Sequence, residues 1–365
     1  MKKYIQTMFN KDLPFNDLPL LPPDPGVFET MSIYKKLSES RAALAELKGR
    51  LPVIPNPLML INTLVLQEAK DSSIIENIVT SNDKLFRAFS SSSNPGDKNT
   101  REVLRYREAL WKAYELLNAS GNLNESVIVE IFRTITERDE EFRNRQVWIG
   151  SAFGNVYTPP EPGKVLQQKL SNWLNFSKNP DGIDPLIKIA LLHYQFEAIH
   201  PFSDGNGRTG RILNVLLLRL FGLLDLPVLY LSKFILKYKE DYYRLLNEVT
   251  SSGKWEPWIL YMLEAVKQTS VFTLNKVNDI YELFNSTVEE IRENAEDIYS
   301  RELIEVVFGQ PYCSIGIVVQ KGIVSRNTAS KYLKRLEKMG ILESQPEGKE
   351  TLFKNIRLYD LLAKG

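Results

Sequence analysis

The chain has 365 residues, 43% hydrophobic and 25% charged, which is ordinary globular usage and length for roughly two to three domains. Forty-six Lys and Arg against 45 Asp and Glu leave a formal charge of +1, which excludes binding of nucleic acid or anionic membrane through the overall field and leaves only local patches for it. Cys313 is the single cysteine, which excludes an internal disulfide and a cysteine-rich zinc site and fits a reducing compartment.

The first twenty residues start basic but lack the apolar core and cleavage site of a signal peptide, so the expected location is cytoplasmic. Residues 13–27 are dense in proline and predict an extended arm. A helix follows, with Asn56 as N-cap, Pro57 at its first position and apolar residues at Leu58, Ile61, Leu64 and Val65. The segment "SSIIEN", Ser72 to Asn77, comes straight after it. The Ser90–Thr100 stretch reads as a loop, and residues 101–117 as a further helix. Residues 146–157 predict a β-hairpin: a strand at Gln146, Val147, Trp148 and Ile149, a turn around Gly150 and Gly154, and a return through Val156 and Tyr157. Asp184 caps the next helix, which has Pro185 at its start and runs to Ile199.

The run Ile212–Leu231 is broken by Asn214, Arg219 and Asp225, which predicts a buried helix and no membrane span. From Trp258 to about Ala295 apolar residues step by three or four, an amphipathic helix pattern. The last seventy or so residues read as two short apolar pieces, a helix capped by Ser325 and stopped at Gly340, and two strands around a Pro-Glu-Gly-Lys turn. Three helices and a β-hairpin make the winged-helix order.

Chemistry concentrates in "HPFSDGNGRTGR", residues 200–211. Pro201 disfavours helical geometry at His200, so an imidazole able to accept a proton near neutral pH stands at a helix end. Gly205 and Gly207 let backbone N–H groups converge at the start of a new helix, whose dipole favours an anion. Arg208 and Arg211, three residues apart, suit a polyphosphate. Asp204 beside phosphate calls for a divalent cation such as Mg²⁺, held by one carboxylate and by phosphate oxygens. His193 is spaced seven residues from His200, too far for a two-histidine metal pair, and reads as a hydrogen-bonded core residue.

This stretch resembles the signature of the Fic family, His-Pro-Phe-x-Asp/Glu-Gly-Asn-Gly-Arg-x-x-Arg, at every fixed position, and the 146–160 hairpin resembles the family's flap. The resemblance implies a mainly α fold, a Fic helical bundle with a β-hairpin flap, joined to a C-terminal winged helix-turn-helix domain. Its expected layout is an N-terminal helical region at 1–98, a catalytic domain at 99–253, a connecting helix region at 254–298 and the winged helix at 299–365.

It also implies transfer of AMP from ATP to a Ser, Thr or Tyr hydroxyl of a target protein. His200 would be the base, Asp204 the Mg²⁺ ligand, and Asn206 with the amides of Gly205 and Gly207 the stabilisers of developing charge. Arg208 and Arg211 would grip the outer phosphates, Phe202 would anchor the loop, and Tyr238 resembles a family tyrosine near the adenosine. The flap residues Gln146 to Ile149 and Tyr157 would hold the target as an added strand.

"SSIIEN" resembles the family's inhibitory element, Ser/Thr-x-x-x-Glu-Gly/Asn. That likeness implies that Glu76 pairs with Arg211, that Ser72 orients Glu76, and that Asn77 completes the element. An arginine already bonded to a carboxylate cannot fully bind a γ-phosphate. Removal of AMP from a modified protein by the same site, and an ATP-sensing DNA-binding regulator, are the alternatives. Arg326, Lys331, Lys334, Arg335 and Lys338 on the last helix suit DNA or a protein partner. Partners are thus ATP, a target protein and a ligand of the winged helix, with a homodimer left open.

Overall fold

The computed structural model describes residues 9–53, 57–92, 95–151 and 154–363, so the expected cap at Asn56 and the residues before Phe9 lie outside the described part. The proline-dense arm has one short 3-10 turn, Pro25–Val27, and no longer helix before α1, Met31–Arg50. Without a ladder of its own, the arm is fastened by other elements' side chains. Gln195 donates to the Pro19 carbonyl at 2.7 Å, and Asn172 exchanges hydrogen bonds with the Leu21 N–H and carbonyl at 2.8 and 3.0 Å.

Helices α2 (Pro57–Ile75), α3 (Asn82–Ser90), α4 (Lys98–Ser120) and α5 (Glu125–Thr136) follow. Thus α4 begins three residues before the expected start. Strands β1 (Ile149–Ser151) and β2 (Gly154–Tyr157) form an antiparallel hairpin, with a bulge between Ile149 and Gly150. A Cβ at Gly150 would collide with the Gly154 carbonyl, so a side chain there would open the hairpin.

The expected strand at Gln146–Ile149 begins only at Ile149. The cause lies opposite it, where Pro159 and Pro160 have no N–H to continue the ladder. Gln146 supplies a substitute, its side-chain amide donating to the Pro159 carbonyl at 2.8 Å.

Next come α6 (Lys164–Lys178), α7 (Pro185–Ile199), α8 (Asn206–Leu220), α9 (Ser232–Lys237), α10 (Lys239–Ser252) and the forty-residue α11 (Trp255–Asn294). Asp184 caps α7 through the Leu186 N–H at 2.8 Å. Between Leu186 and Ile199 every residue except Glu197 is buried. A helix buried on nearly all sides sits inside its unit, and indoles from two neighbours close on it. Trp173 of α6 donates to the Leu192 carbonyl and Trp258 of α11 to that of Ala190.

The C-terminal region runs α12 (Arg301–Phe308), β3 (Tyr312–Ser314), α13 (Ile315–Gln320), α14 (Arg326–Lys338), β4 (Leu342–Glu347), β5 (Glu350–Asn355) and α15 (Ile356–Ala363). Its sheet has the order β3-β5-β4, all antiparallel. Helix–helix–helix–hairpin is therefore present, with one strand more than expected.

Two details differ from the sequence expectation. Pro346 lies in β4 opposite Thr351 and the turn is Gly348-Lys349, because β4 is an edge strand that tolerates a residue with no donor. The second strand stops at Asn355, whose side chain accepts from the Leu358 N–H at 3.1 Å and starts α15.

By packing, the described chain divides into two compact units. One comprises Met1–Ala45 and Glu108–Thr269, and holds the hairpin and α7 with α8. The other comprises Glu46–Arg107 and Ser270–Gly365, and holds α2, α3 and the three-stranded sheet. In the latter, Arg87 of α3 bonds Asp83 at 2.8 Å and Glu347 of β4 at 2.8 Å.

Candidate active site

The loop between α7 and α8 is built from conformations few residues accept. His200 ends α7 with φ 50° and ψ 61°, a left-handed backbone that costs a non-glycine residue about 1–2 kcal/mol. Its Nδ1 lies 3.4 Å from the Glu197 carbonyl, so a proton held there leaves Nε2 as the basic nitrogen. Phe202 is fully buried, its ring 4.2 Å from Phe132 and almost parallel to it. That plug fixes the loop to α5.

Asn206 closes the loop from inside. Its Oδ1 accepts from the Phe202 N–H and its Nδ2 donates to the Phe202 carbonyl, both at 2.9 Å. Both polar atoms thus bond the loop's own backbone, so Asn206 fastens the loop. Gly205 is left-handed at φ 70°, whereas Gly207 is the second residue of α8, so one of the two expected glycine pivots turns the chain.

Among the described residues no side chain caps α8 at Gly205, and the first turn of such a helix is a place where backbone N–H groups can meet an anion. Arg208 and Arg211 are 5% and 2% exposed. The Arg208 Nη2 lies 3.9 Å from where a Cβ on Gly205 would stand, which brings its guanidinium back to the helix start. Asp204 is exposed. Its Oδ1 accepts from the Gly205 N–H at 2.7 Å, and its Oδ2 is 3.8 Å from Arg138.

Among the described residues no group of three or more His, Cys, Asp or Glu could hold a metal ion. A single exposed carboxylate at the mouth of an anion cradle fits Mg²⁺, which completes its shell with water and substrate oxygens.

Gly210, a variable position of the motif, was not singled out from the sequence. A Cβ there would collide with Glu197 Oε1 and stand 3.2 Å from the Phe196 ring, so the glycine lets α8 close on α7. His193 is buried, its Nε2 2.9 Å from the Tyr242 hydroxyl and its ring stacked on Trp258. Burial, with Arg211 nearby, lowers its pKa to about 3.

The hairpin residues divide by face. Trp148 is 72% exposed, while Tyr157 is buried and its hydroxyl donates to the Ala198 carbonyl at 2.8 Å. Tyr157 therefore ties the hairpin to α7 through its side chain. Tyr238 joins α9 to α10, half-buried, with its ring 4.7 Å from that of Phe234.

In the other unit, α2 ends at Ile75 with Glu76 as the next residue and Asn77 left-handed at φ 63°. The Ile78 N–H bonds the Ser73 carbonyl and that of Asn77 the Ile74 carbonyl, both at 2.9 Å, which is a Schellman ending. Ser72 is fully buried.

Three family models match in sequence: Fic/DOC family N-terminal over 34–115, Fic/DOC family over 122–218, and the C-terminal domain of SoFic-like protein adenylyltransferases over 283–358. The chain carries a Fic/DOC domain. Among curated relatives, the protein adenylyltransferase Fic of Drosophila virilis is 33% identical over 143 residues, 38% of this chain and 27% of that one. That of Aedes aegypti is 32% identical over 162 residues, 42% and 30% of the two chains. The matches thus span under a third of those relatives.

A Fic family protein from Desulfovibrio desulfuricans G20 shares the fold at TM-score 0.55 and 22% identity, covering 89% of this chain and 96% of its own. Fic-1 of C. elegans does so at TM-score 0.54 and 18% identity, over 67% and 74%. Among the described residues no helix is long and apolar enough to cross a membrane.

Proposed function

We propose that the chain transfers AMP from ATP to a hydroxyl side chain of a target protein or of itself. The observation that carries this reading is the loop geometry. A left-handed His200 stands beside the uncapped start of α8, with Arg208 folded back toward it and Arg211 one turn on. His200 Nε2 takes the proton of the target Ser, Thr or Tyr hydroxyl. The oxygen bonds to the α-phosphorus, the bond from that phosphorus to the β-phosphate oxygen breaks, and pyrophosphate leaves. Positioning and charge neutralisation carry such a step.

The first-turn amides of α8 and the two arginines bind phosphate oxygens, and Tyr238 would contact the adenosine. Asp204 would hold Mg²⁺, which neutralises charge on the phosphates. The hairpin, with the exposed Trp148 just before its first strand, receives the target backbone.

The same reading includes a brake, Glu76 on Arg211. Its support is the "SSIIEN" pattern together with the left-handed Asn77, since a Gly or Asn in that position of the pattern is what a Schellman ending requires. Incubation with α-labelled ATP should label protein, and γ-labelled ATP should not. His200→Ala should cut labelling by about 10²–10⁴-fold, and Glu76→Gly should raise it. Label from the γ-phosphate, or undiminished label in His200→Ala, rejects the transfer. An unchanged rate in Glu76→Gly rejects the brake alone.

A second reading concerns α14. It buries Ala329, Leu333 and Leu336 and turns Arg326, Lys331, Lys334, Arg335 and Lys338 to solvent. We propose that this region is a winged helix whose basic helix binds DNA, a reading supported by the strand order β3-β5-β4 and by those exposed cations.

A further inference from the structure

Arg143 is 6% exposed, and among the described residues no carboxylate pairs with it. A buried guanidinium with only neutral partners is costly, and burial lowers its pKa to about 10. Its bonds explain why it is kept. Nε donates to the His200 carbonyl at 2.8 Å and Nη2 to those of Pro160 and Ile199, the latter at 3.4 Å. Nη1 donates to the Arg145 carbonyl at 3.3 Å, and the Arg143 N–H to that of Pro201 at 2.9 Å.

The carbonyls of Ile199 and His200 are orphans of the α7 terminus, where a cation is also favoured by the helix dipole. Those of Arg145 and Pro160 flank the two ends of the hairpin, where prolines have interrupted the ladder.

We propose that Arg143 is a positioning residue that locks the hairpin to the His200 loop, so that the ledge holding the target and the base that deprotonates it keep one fixed spacing. The proposal rests on the reading of His200 as base, and it adds a requirement that ATP binding does not share. Arg143 bonds the α7 end of the loop and, among the described residues, nothing on α8.

The test uses the full chain with Arg143→Lys and Arg143→Ala, following labelling from α-labelled ATP, ATP affinity and backbone amide exchange. Arg143→Ala should lower the labelling rate about 10- to 100-fold, the penalty expected of a displacement near 1 Å, with ATP affinity within about twofold of the parent. Arg143→Lys, which reaches fewer carbonyls, should fall between. Added guanidinium should restore part of the Arg143→Ala rate.

Amides of 146–151 and 200–203 should exchange faster in Arg143→Ala, while those of α6 and α10 stay protected. Unchanged labelling overturns the proposal, as does loss of ATP affinity and of protection throughout the unit. If the parent protein transfers no AMP at all, the proposed activity fails. Amide exchange then still decides the lock: selective loosening of the two segments upholds it, and unaltered exchange overturns it.

Discussion

Two histidines on one helix, seven residues apart, have opposite fates. His200 sits at the end of α7, half-buried, with a left-handed backbone. His193 is enclosed by Tyr242 and Trp258 and its pKa is lowered to about 3. The unfolded chain binds a proton at His193 near pH 6.5 and the folded chain does not, so its contribution to stability is complete above about pH 6.5. It is lost as pH falls from there toward 3. Urea unfolding midpoints at pH 7.5 and pH 5 should therefore differ less in His193→Gln than in the parent, since glutamine has no proton to gain. An equal pH dependence in both would show that His193 is protonated in the fold.

Spacing in the sequence was enough to separate the two histidines. It does not show that Asn206 fastens the loop, because nothing in a motif says which backbone groups an amide will bond. Arg143 was silent for a similar reason, as a single arginine in a charged stretch gives no sign that folding will bury it.

At the scale of elements, caps and periodic apolar faces were legible, and ladder boundaries were not. Asp184 and Pro185 mark the start of α7 in the sequence, and Pro201 marks its end. The hairpin was visible, yet its first strand starts late because prolines on the partner segment remove the donors. Strand boundaries depend on what lies opposite, which a local reading does not contain.

The end of α2 shows a local rule that does act. Asn77 occupies the left-handed position of a Schellman ending, immediately after Glu76. Asn77→Gly should leave stability within a few tenths of a kcal/mol or raise it, because glycine accepts that conformation freely. Asn77→Val should lower it by about 1–2 kcal/mol. Chemical denaturation of the two variants measures this. A valine variant as stable as the parent would mean that the left-handed turn is not what ends the helix.

For the molecule as a whole, near neutrality makes local charge decisive. The formal charge is +1, so any affinity for DNA has to come from a patch and not from the summed field. On α14 the apolar residues Ala329, Leu333 and Leu336 face inward, and its charged residues are five exposed cations against a single acid, Glu337. Phosphate contacts by such cations release counterions, so log affinity falls with log salt at about 0.9 per contact on duplex DNA. Replacing Lys331 and Lys334 with alanine should weaken duplex binding across all sequences and reduce the slope by about 2.

The substitutions lie on the exposed face, so α14 itself should remain folded, which circular dichroism checks. Because the two lysines lie in the unit that does not contain residues 200–211, labelling from α-labelled ATP should be retained. A slope unaffected by the two changes would remove DNA as the partner of α14. It would leave the exposed lysines as an ordinary solvated face, and AMP transfer would stand on the His200 loop alone.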